Sequence, residues 1–282
     1  MGGRRSSHDL ACFSKILMNY AAFQELIWDY YHEHGRDLPW RHAETDGSFD
    51  PYKIMVSEIM LQQTQAARVI PKYHQFLQQF PTVQDLAKAE LSQVLTAWNG
   101  LGYNRRAKFL WQAAQAIGEH FPATMEELVK LPGIGANTAG AIVAYTFNRP
   151  VVFIETNIRT VYIHHFFADG DDVHDKQLLP IVQATLDQEH PREWYWALMD
   201  YGVFIKTTVG NTARSSKHYT KQSSFVGSKR QIRGRVIRLL TGGPVSRHRL
   251  VSEIDDPRLP EVLADLEKEQ LIRQVKQQYC LW

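Results

Sequence analysis

Apolar side chains recur at three- and four-residue spacing along most of the chain, which predicts helices over Phe23–His32, Ile54–Gln65, Gln84–Trp98, Arg106–Phe121, Thr138–Phe147 and Pro191–Ile205. Strict two-residue alternation is scarce before Leu271, so the fold class is all-α. The linkers carry turn chemistry where the periodicity breaks: Asn99-Gly100, Pro132-Gly133, Asn148 to Pro150, and Gly210-Asn211. The end of the chain has a different texture. Helical spacing over Gln231–Leu240, Arg247–Ile254 and Leu259–Glu269 gives way to alternation from Leu271 to Trp282. Three helices and a ribbon read as a small winged-helix-like module, for which DNA contact and mere packing are both natural roles.

Composition adds little until charge is mapped. The 282 residues are 44% hydrophobic and 22% charged, which excludes neither an enzyme nor a binding module. Between Asp200 and Glu253, however, lie 52 residues with no acid and 11 Lys and Arg, so a +11 segment is joined to a body of −9. That asymmetry points to a polyanionic partner. The only cysteines, Cys12 and Cys280, supply neither a metal cluster nor a disulfide framework. No run approaches a membrane span and the start lacks the apolar core of a signal peptide, so the expected setting is cytoplasmic and nucleoid-associated. Gly2 with Ser6 matches the myristoylation pattern, a loose one that many unmodified proteins share.

Leu131-Pro132-Gly133-Ile134-Gly135-Ala136-Asn137-Thr138 joins two helical stretches. Its glycines, Gly133 and Gly135, permit a tight turn that aims backbone N–H groups outward at the start of a helix, an anion site that reads no sequence. Upstream, Glu58 stands four residues after Ile54 and three before Leu61, on the stripe of those apolar side chains, and is expected to face inward. Glu155 follows the apolar run Val151 to Ile154 and precedes Thr156-Asn157, expected to cap a helix continuing through Val161.

Four segments in collinear order resemble the helix-hairpin-helix DNA glycosylase superfamily of the MutY and endonuclease III type: Leu38-Pro39-Trp40, Ser57 to Gln65, Gly100-Leu101-Gly102-Tyr103, and the hairpin Leu131 to Gly140. The similarity covers residues 20 to 205. It implies a bilobed fold, with a six-helix domain over 46–150 holding the catalytic helix and hairpin, a second helical lobe from 1–45 plus 151–230, and the winged-helix-like module over 231–282. The implied activity is base excision from duplex DNA carrying a damaged or mispaired base, by a monomer, with adenine as the first expectation for the excised base. A glycosylase for another altered base, or a DNA-binding protein of the same fold without turnover, are the alternatives.

On that reading Glu58, its pKa raised by desolvation, protonates the departing base, while Glu155, kept ionised at a helix start, stabilises the cationic sugar. The family's aspartate is here a glutamate, one methylene longer. Bifunctional relatives carry a lysine where this chain has Asn137, so hydrolysis without strand cleavage is expected. Gln62, Gln63 and Tyr103 resemble wedge residues that fill the hole left by an everted base. Arg105 and Arg106 follow directly as phosphate contacts, and Trp40, Leu61, Asn157 and Trp196 are assigned to the base pocket. The resemblance implies a monovalent cation at the hairpin and otherwise no cofactor. The four cysteines of the family's iron-sulfur cluster fall on Lys206, Ala213, Ser216 and Gln222, none of which can ligate iron. The acid-free segment, including Lys217, Lys221, Lys229 and Arg230, is expected to take over the cluster's loop-ordering and backbone-gripping work. The chain after Gln231 is too short for the MutY domain that checks the opposite base.

Overall fold

A computed structural model describes residues 19–167, 172–217 and 224–282. In chain order its helices are α1 (Tyr20–His34), α2 (Pro51–Leu61), α3 (Ala66–Gln79), α4 (Val83–Lys88), α5 (Leu91–Ala97), α6 (Arg105–Ala116), α7 (Met125–Leu128) and α8 (Ala136–Phe147). They continue with α9 (Thr156–Phe166), α10 (Asp175–Thr185), α11 (Pro191–Thr208), α12 (Lys229–Leu240), α13 (Arg247–Glu253) and α14 (Leu259–Lys268). Three short strands, β1 (Val245–Ser246), β2 (Ile272–Val275) and β3 (Gln278–Leu281), form one antiparallel sheet in the order β1-β3-β2. Internal packing divides the chain into two compact units, Met1–Asp37 with Asn148–Thr220, and Leu38–Phe147 with Lys221–Trp282.

The first unit is built on α11, which starts with Pro191 at a position where the missing N–H costs nothing. Helix α1 lays Phe23 and Ile27, both fully buried, against it, and the Phe23 ring meets the edge of Trp194 at 6.1 Å. Just past α1, Arg36 donates from its backbone N and its Nε to the fully buried Asp200 carboxylate at 2.8 and 2.7 Å. Helix α9 packs closest to α11, because Gly202 leaves room that a Cβ would lose: it would lie 2.6 Å from the Asn157 carbonyl oxygen.

In the second unit α2 begins at Asp50, whose side chain caps Tyr52 N at 2.8 Å, followed by Pro51. Every residue from Ile54 to Met60 except Glu58 is buried, so α2 is a core helix wrapped by α3, α6 and α8. The single helix expected over Gln84–Trp98 is two, since Glu90 caps α5 reciprocally with Gln93 and Trp111 Nε1 donates to the freed Ala89 carbonyl at 2.9 Å. At the end of the chain α12, α13 and α14 precede the β2–β3 hairpin as expected, and β1 adds a third strand. Lys276 and Gln277 both take positive φ, the geometry a two-residue hairpin loop demands. Lys108 Nζ on α6 ties this module down, donating to Glu269 O and Gln270 Oε1 at 2.8 Å each.

Candidate functional site

The end of α2 is set by one side chain. Arg106, expected on phosphate, is instead buried, and its guanidinium donates to the carbonyls of Ile59 (2.8 Å), Met60 (3.0 Å) and Gln62, and to Thr64 Oγ1 (3.0 Å). It thereby satisfies carbonyls that a helix terminus leaves without partners. Burial pulls its pKa down to about 10, so it is still charged at neutral pH. The expectation that Arg106 grips DNA is corrected: a donor this committed to backbone is not available to a phosphate. The chain then turns through Gln63 at φ +57°, ending α2 before the Gln65 expected from periodicity.

That cap places the wedge candidates. Gln62 follows Glu58 by four residues, so the two share a face of α2, and Gln62 Nε2 reaches Thr138 Oγ1 at 3.3 Å. Glu58 is half-buried rather than turned fully inward. Gln63 is exposed, and Tyr103, at φ +47°, keeps 39% of its surface in solvent. Arg230, at the start of α12, donates to the Tyr103 hydroxyl at 2.6 Å with its guanidinium 5.5 Å from the ring centre. Arg105 is exposed and lies 5.4 Å over the Phe109 ring.

The hairpin between α7 and α8 exposes Gly133, Gly135 and Asn137 at the start of a twelve-residue helix. Gly133 sits at φ +78°, and a Cβ there would come within 2.6 Å of Phe109 Cβ, so both backbone conformation and packing require glycine. Gly135 is under neither constraint, since a Cβ there would meet nothing.

In the other unit Glu155 is itself the N-cap of α9, a role expected of Thr156 and Asn157, and the helix runs on past Val161 to Phe166. One carboxylate oxygen accepts from Asn157 N and from Ile158 N (2.9 Å), the other from Asn157 Nδ2 at 3.4 Å. Burial raises the pKa of Glu155, against the pull of those amides, of Lys206 and of Arg159. The helix start was expected to favour the charged form; burial works against it and shifts the balance upward. Lys206 Nζ donates to Asn157 Oδ1 at 2.6 Å, and burial lowers its own pKa. Asn157, half-buried, thus bridges Lys206 to Glu155. Sequence reading missed this partnership, although Gly202 and Lys206, four residues apart on α11, share the face that meets α9.

Three more assignments change. Trp40 and Trp196 are each only 6% exposed: the first packs its edge on Tyr73 at 5.5 Å, the second sits on α11 among fully buried neighbours. Rings so enclosed are core side chains with no face offered to a base. Leu61 is half-buried at the last position of α2. The acid-free segment is divided between the two units, up to Thr220 in the first and from Lys221 in the second. Lys217 pairs with Asp172 at 2.9 Å, Lys229 with Glu261, and Lys221 lies outside the described residues. Where the family's cluster loop would stand, a 3-10 turn over Thr212–Ser215 docks on α9: Thr212 Oγ1 donates to Thr160 O at 3.0 Å, and Ala213 is buried. Lys206, Ala213 and Ser216 offer no thiolate, so an iron-sulfur cluster does not fit there, and among the described residues no group of three His, Cys, Asp or Glu could hold a metal ion.

The model of the HhH-GPD superfamily of base excision DNA repair proteins matches residues 56–183, from α2 through the hairpin and α9 to α10. An adenine DNA glycosylase of Mycolicibacterium smegmatis is 31% identical over 269 residues, covering 85% of this chain and 88% of that protein. The chain belongs to the HhH-GPD superfamily. Within that superfamily it is also 35% identical over 194 residues to an adenine DNA glycosylase of Buchnera aphidicola subsp. Baizongia pistaciae, covering 67% of this chain and 54% of that one. The chain thus spans about half the length of several superfamily relatives that it matches. A solved structure of a thermostable thymine-DNA glycosylase superposes with a TM-score of 0.61 at 23% identity, over 71% of this chain and 96% of that one, a likeness of fold. The all-α class with a small appended sheet agrees with it. No helix among the described residues is long and apolar enough to cross a membrane.

Proposed function

We propose that the protein is a monofunctional DNA N-glycosylase that everts a base, with adenine the first expectation, from a damaged or mispaired duplex and hydrolyses its bond to the sugar. One observation carries this reading: Glu58, the single residue of α2 between Ile54 and Met60 that is not buried, shares its helix face with Gln62, beside the exposed turns of Gln63 and Tyr103. An acid one helical turn from the groups that fill an opened base pair is where base protonation needs it. The adenine glycosylases among its relatives support the choice of base.

In this mechanism Glu58 donates its proton to a ring nitrogen of the everted base, which makes the base a better leaving group. Glu155, once ionised, stabilises the oxocarbenium-like sugar until water attacks. Its two backbone donors and the Lys206–Asn157 bridge hold that charge in place. Phosphate binds the N–H groups at the start of α8, aided by the helix dipole. The family's monovalent cation suits the same turn, because Leu131 to Asn137 offer uncharged oxygens and no carboxylate. Asn137 cannot form an imine, so the product is an abasic site in an unbroken strand.

A second reading, DNA binding without turnover, draws on Glu155 being a helix cap with a raised pKa. Incubation with duplexes carrying mispairs and altered bases, then alkali to cleave abasic sites, separates the two. The wild type yields alkali-dependent cuts, and Glu58→Gln cuts about 10² to 10⁴ times more slowly, the usual worth of a general acid. A variant as fast as wild type would remove Glu58 from the mechanism, and cuts without alkali would refute the monofunctional assignment.

A further inference from the structure

The turn that leads into α12 carries its apolar side chains outward. Phe225 is 57% and Val226 78% exposed, at a position where turns ordinarily place polar groups. The backbone beneath them is fixed. Ser228 N and Oγ both donate to Phe225 O, at 3.2 and 2.7 Å, Gly227 N donates to Gln231 Oε1 at 2.8 Å, and Arg258 Nη1 donates to Gly227 O at 2.9 Å. Gly227 itself takes φ +75°, a left-handed step that suits glycine.

The surroundings indicate a partner. Phe225 and Val226 lie in the acid-free segment, directly before the basic helix α12. The acids bonded to the cations at this turn, Asp256 on Arg258 and Glu261 on Lys229, are neutralised by them. Arg230, four residues after Val226, donates to the Tyr103 hydroxyl. Four residues of chain span at most about 14 Å, or about four base steps at roughly 3.4 Å each. The Phe225–Val226 turn and the exposed Tyr103 turn, both in the second unit, therefore stand close enough to meet one duplex. Apolar side chains pushed between base steps from the minor groove are a general means of kinking DNA, and a fixed apolar tip beside a basic helix has that form.

We propose that Phe225 and Val226 form a second wedge, separate from Gln62, Gln63 and Tyr103, that enters the minor groove a few base steps from the opened pair and kinks the duplex there. The kink eases extrusion of the base, since a step unstacked nearby has already given up part of the stacking that holds it. The inference rests on the duplex-binding part of the proposed function and not on its chemistry.

The probe is a short duplex holding a tetrahydrofuran abasic analogue, with donor and acceptor dyes on its two ends, so that bending is read as energy transfer and needs no catalysis. Saturation with wild-type protein should raise the transfer. Replacing both Phe225→Ser and Val226→Ser should weaken duplex binding about 5- to 100-fold, leave the salt slope unchanged because no charge is lost, and leave the saturated complex straighter. Both side chains are mostly in solvent, so the melting temperature of the free protein should hold; Phe225→Gln alone takes over if the double variant fails to fold. Phe225→Leu, which keeps an apolar wedge, should restore most of the bend. A duplex left straight by saturating wild type, or folded polar variants that bind and bend like wild type, would overturn the proposal and leave the turn to a protein partner. An equal loss of affinity for the single strand would also overturn it, by showing that the tip stacks on any exposed base. Alkali-dependent cleavage of mispaired duplexes by the same preparation reads the glycosylase assignment separately: cleavage with an unbent duplex keeps that assignment and removes the second wedge.

Discussion

Replacing Arg106 by methionine keeps the apolar stem and removes the charge that ends α2. The guanidinium donates to five carbonyls and a hydroxyl, with bonds of 2.8 Å to Ile59 O, 3.0 Å to Met60 O and Thr64 Oγ1 and longer ones to Leu101 O and Gly102 O, from a side chain that is nearly enclosed. A hydrogen bond to a charged group contributes about 1.5 to 3 kcal/mol net, and an abandoned buried carbonyl costs about 1 to 3 kcal/mol. The buried Ile59 and Met60 carbonyls cannot recover their partner from water as Gln62 can. Since the contributions overlap, the expected loss is about 3 to 5 kcal/mol, the range found when one member of a buried charged network is removed. Arg106→Lys should recover less than half, because an ammonium cannot fork across several carbonyls. Denaturant unfolding measures the loss, and the salt dependence of DNA binding provides the control. A loss under about 1 kcal/mol, or intact stability with a shallower salt slope, would refute the capping role and return Arg106 to the phosphate backbone.

Three further outcomes follow from particular contacts. Lys206→Met removes a charge that lowers the raised pKa of Glu155, so that pKa climbs further; because the proposed role needs ionised Glu155, the acid limb of the single-turnover excision profile should move to higher pH, and an unmoved limb would exclude the coupling. Gly133→Ala forces a Cβ against Phe109 at a positive φ and should cost about 2 to 3 kcal/mol, from overpacking and left-handed strain together, with weaker duplex binding, both read by melting and titration. His165, against the Tyr201 ring and hydroxyl (3.2 Å), has its pKa lowered to about 4 by burial. The unfolded chain then binds a proton near pH 6.5 that the folded one refuses until about pH 4, so stability falls as pH drops through that window, by about 2 kcal/mol after allowing for partial exposure; His165→Phe should flatten the dependence.

Legibility in the sequence followed the strength of local signals. Helices α1, α6, α8, α11 and the terminal module were readable because their apolar spacing is regular and their ends carry Pro, Gly or Asn. Helices α3 and α10 went unread, each holding an internal proline, Pro71 and Pro180, among polar residues. Val69, Tyr73 and Phe76, four and three residues apart and all buried, were the signal available for α3. At the site, motif order singled out Glu58, Glu155 and the hairpin, since those segments are contiguous in sequence. It misread Arg106, Trp40 and Trp196, whose burial depends on contacts with distant segments. Nothing in the local spacing of Arg106 says that its guanidinium reaches back 47 residues to Ile59.

Charge within the terminal module is divided unevenly between its helices. In a helix pair that reads DNA the second helix enters the major groove, and here that helix is α14, which exposes Glu261 and Asp265 where phosphates would flank it. Helix α12 instead carries Lys229, Arg230, Arg233, Arg235 and Arg238 and no acid. Glu261 and Glu269 neutralise Lys229 and Arg233, so the acids at α14 hold α12 in place while leaving Arg230 directed at Tyr103 and Arg238 exposed. A module wired this way repels a phosphate backbone along its usual reading helix and attracts it along the helix beside the wedge. Reversing the charge of Glu261 and Asp265 to lysine should therefore strengthen non-specific duplex binding and steepen its salt dependence, whereas Arg238→Gln on α12 should weaken binding and make that dependence shallower, both read by titration at several salt concentrations.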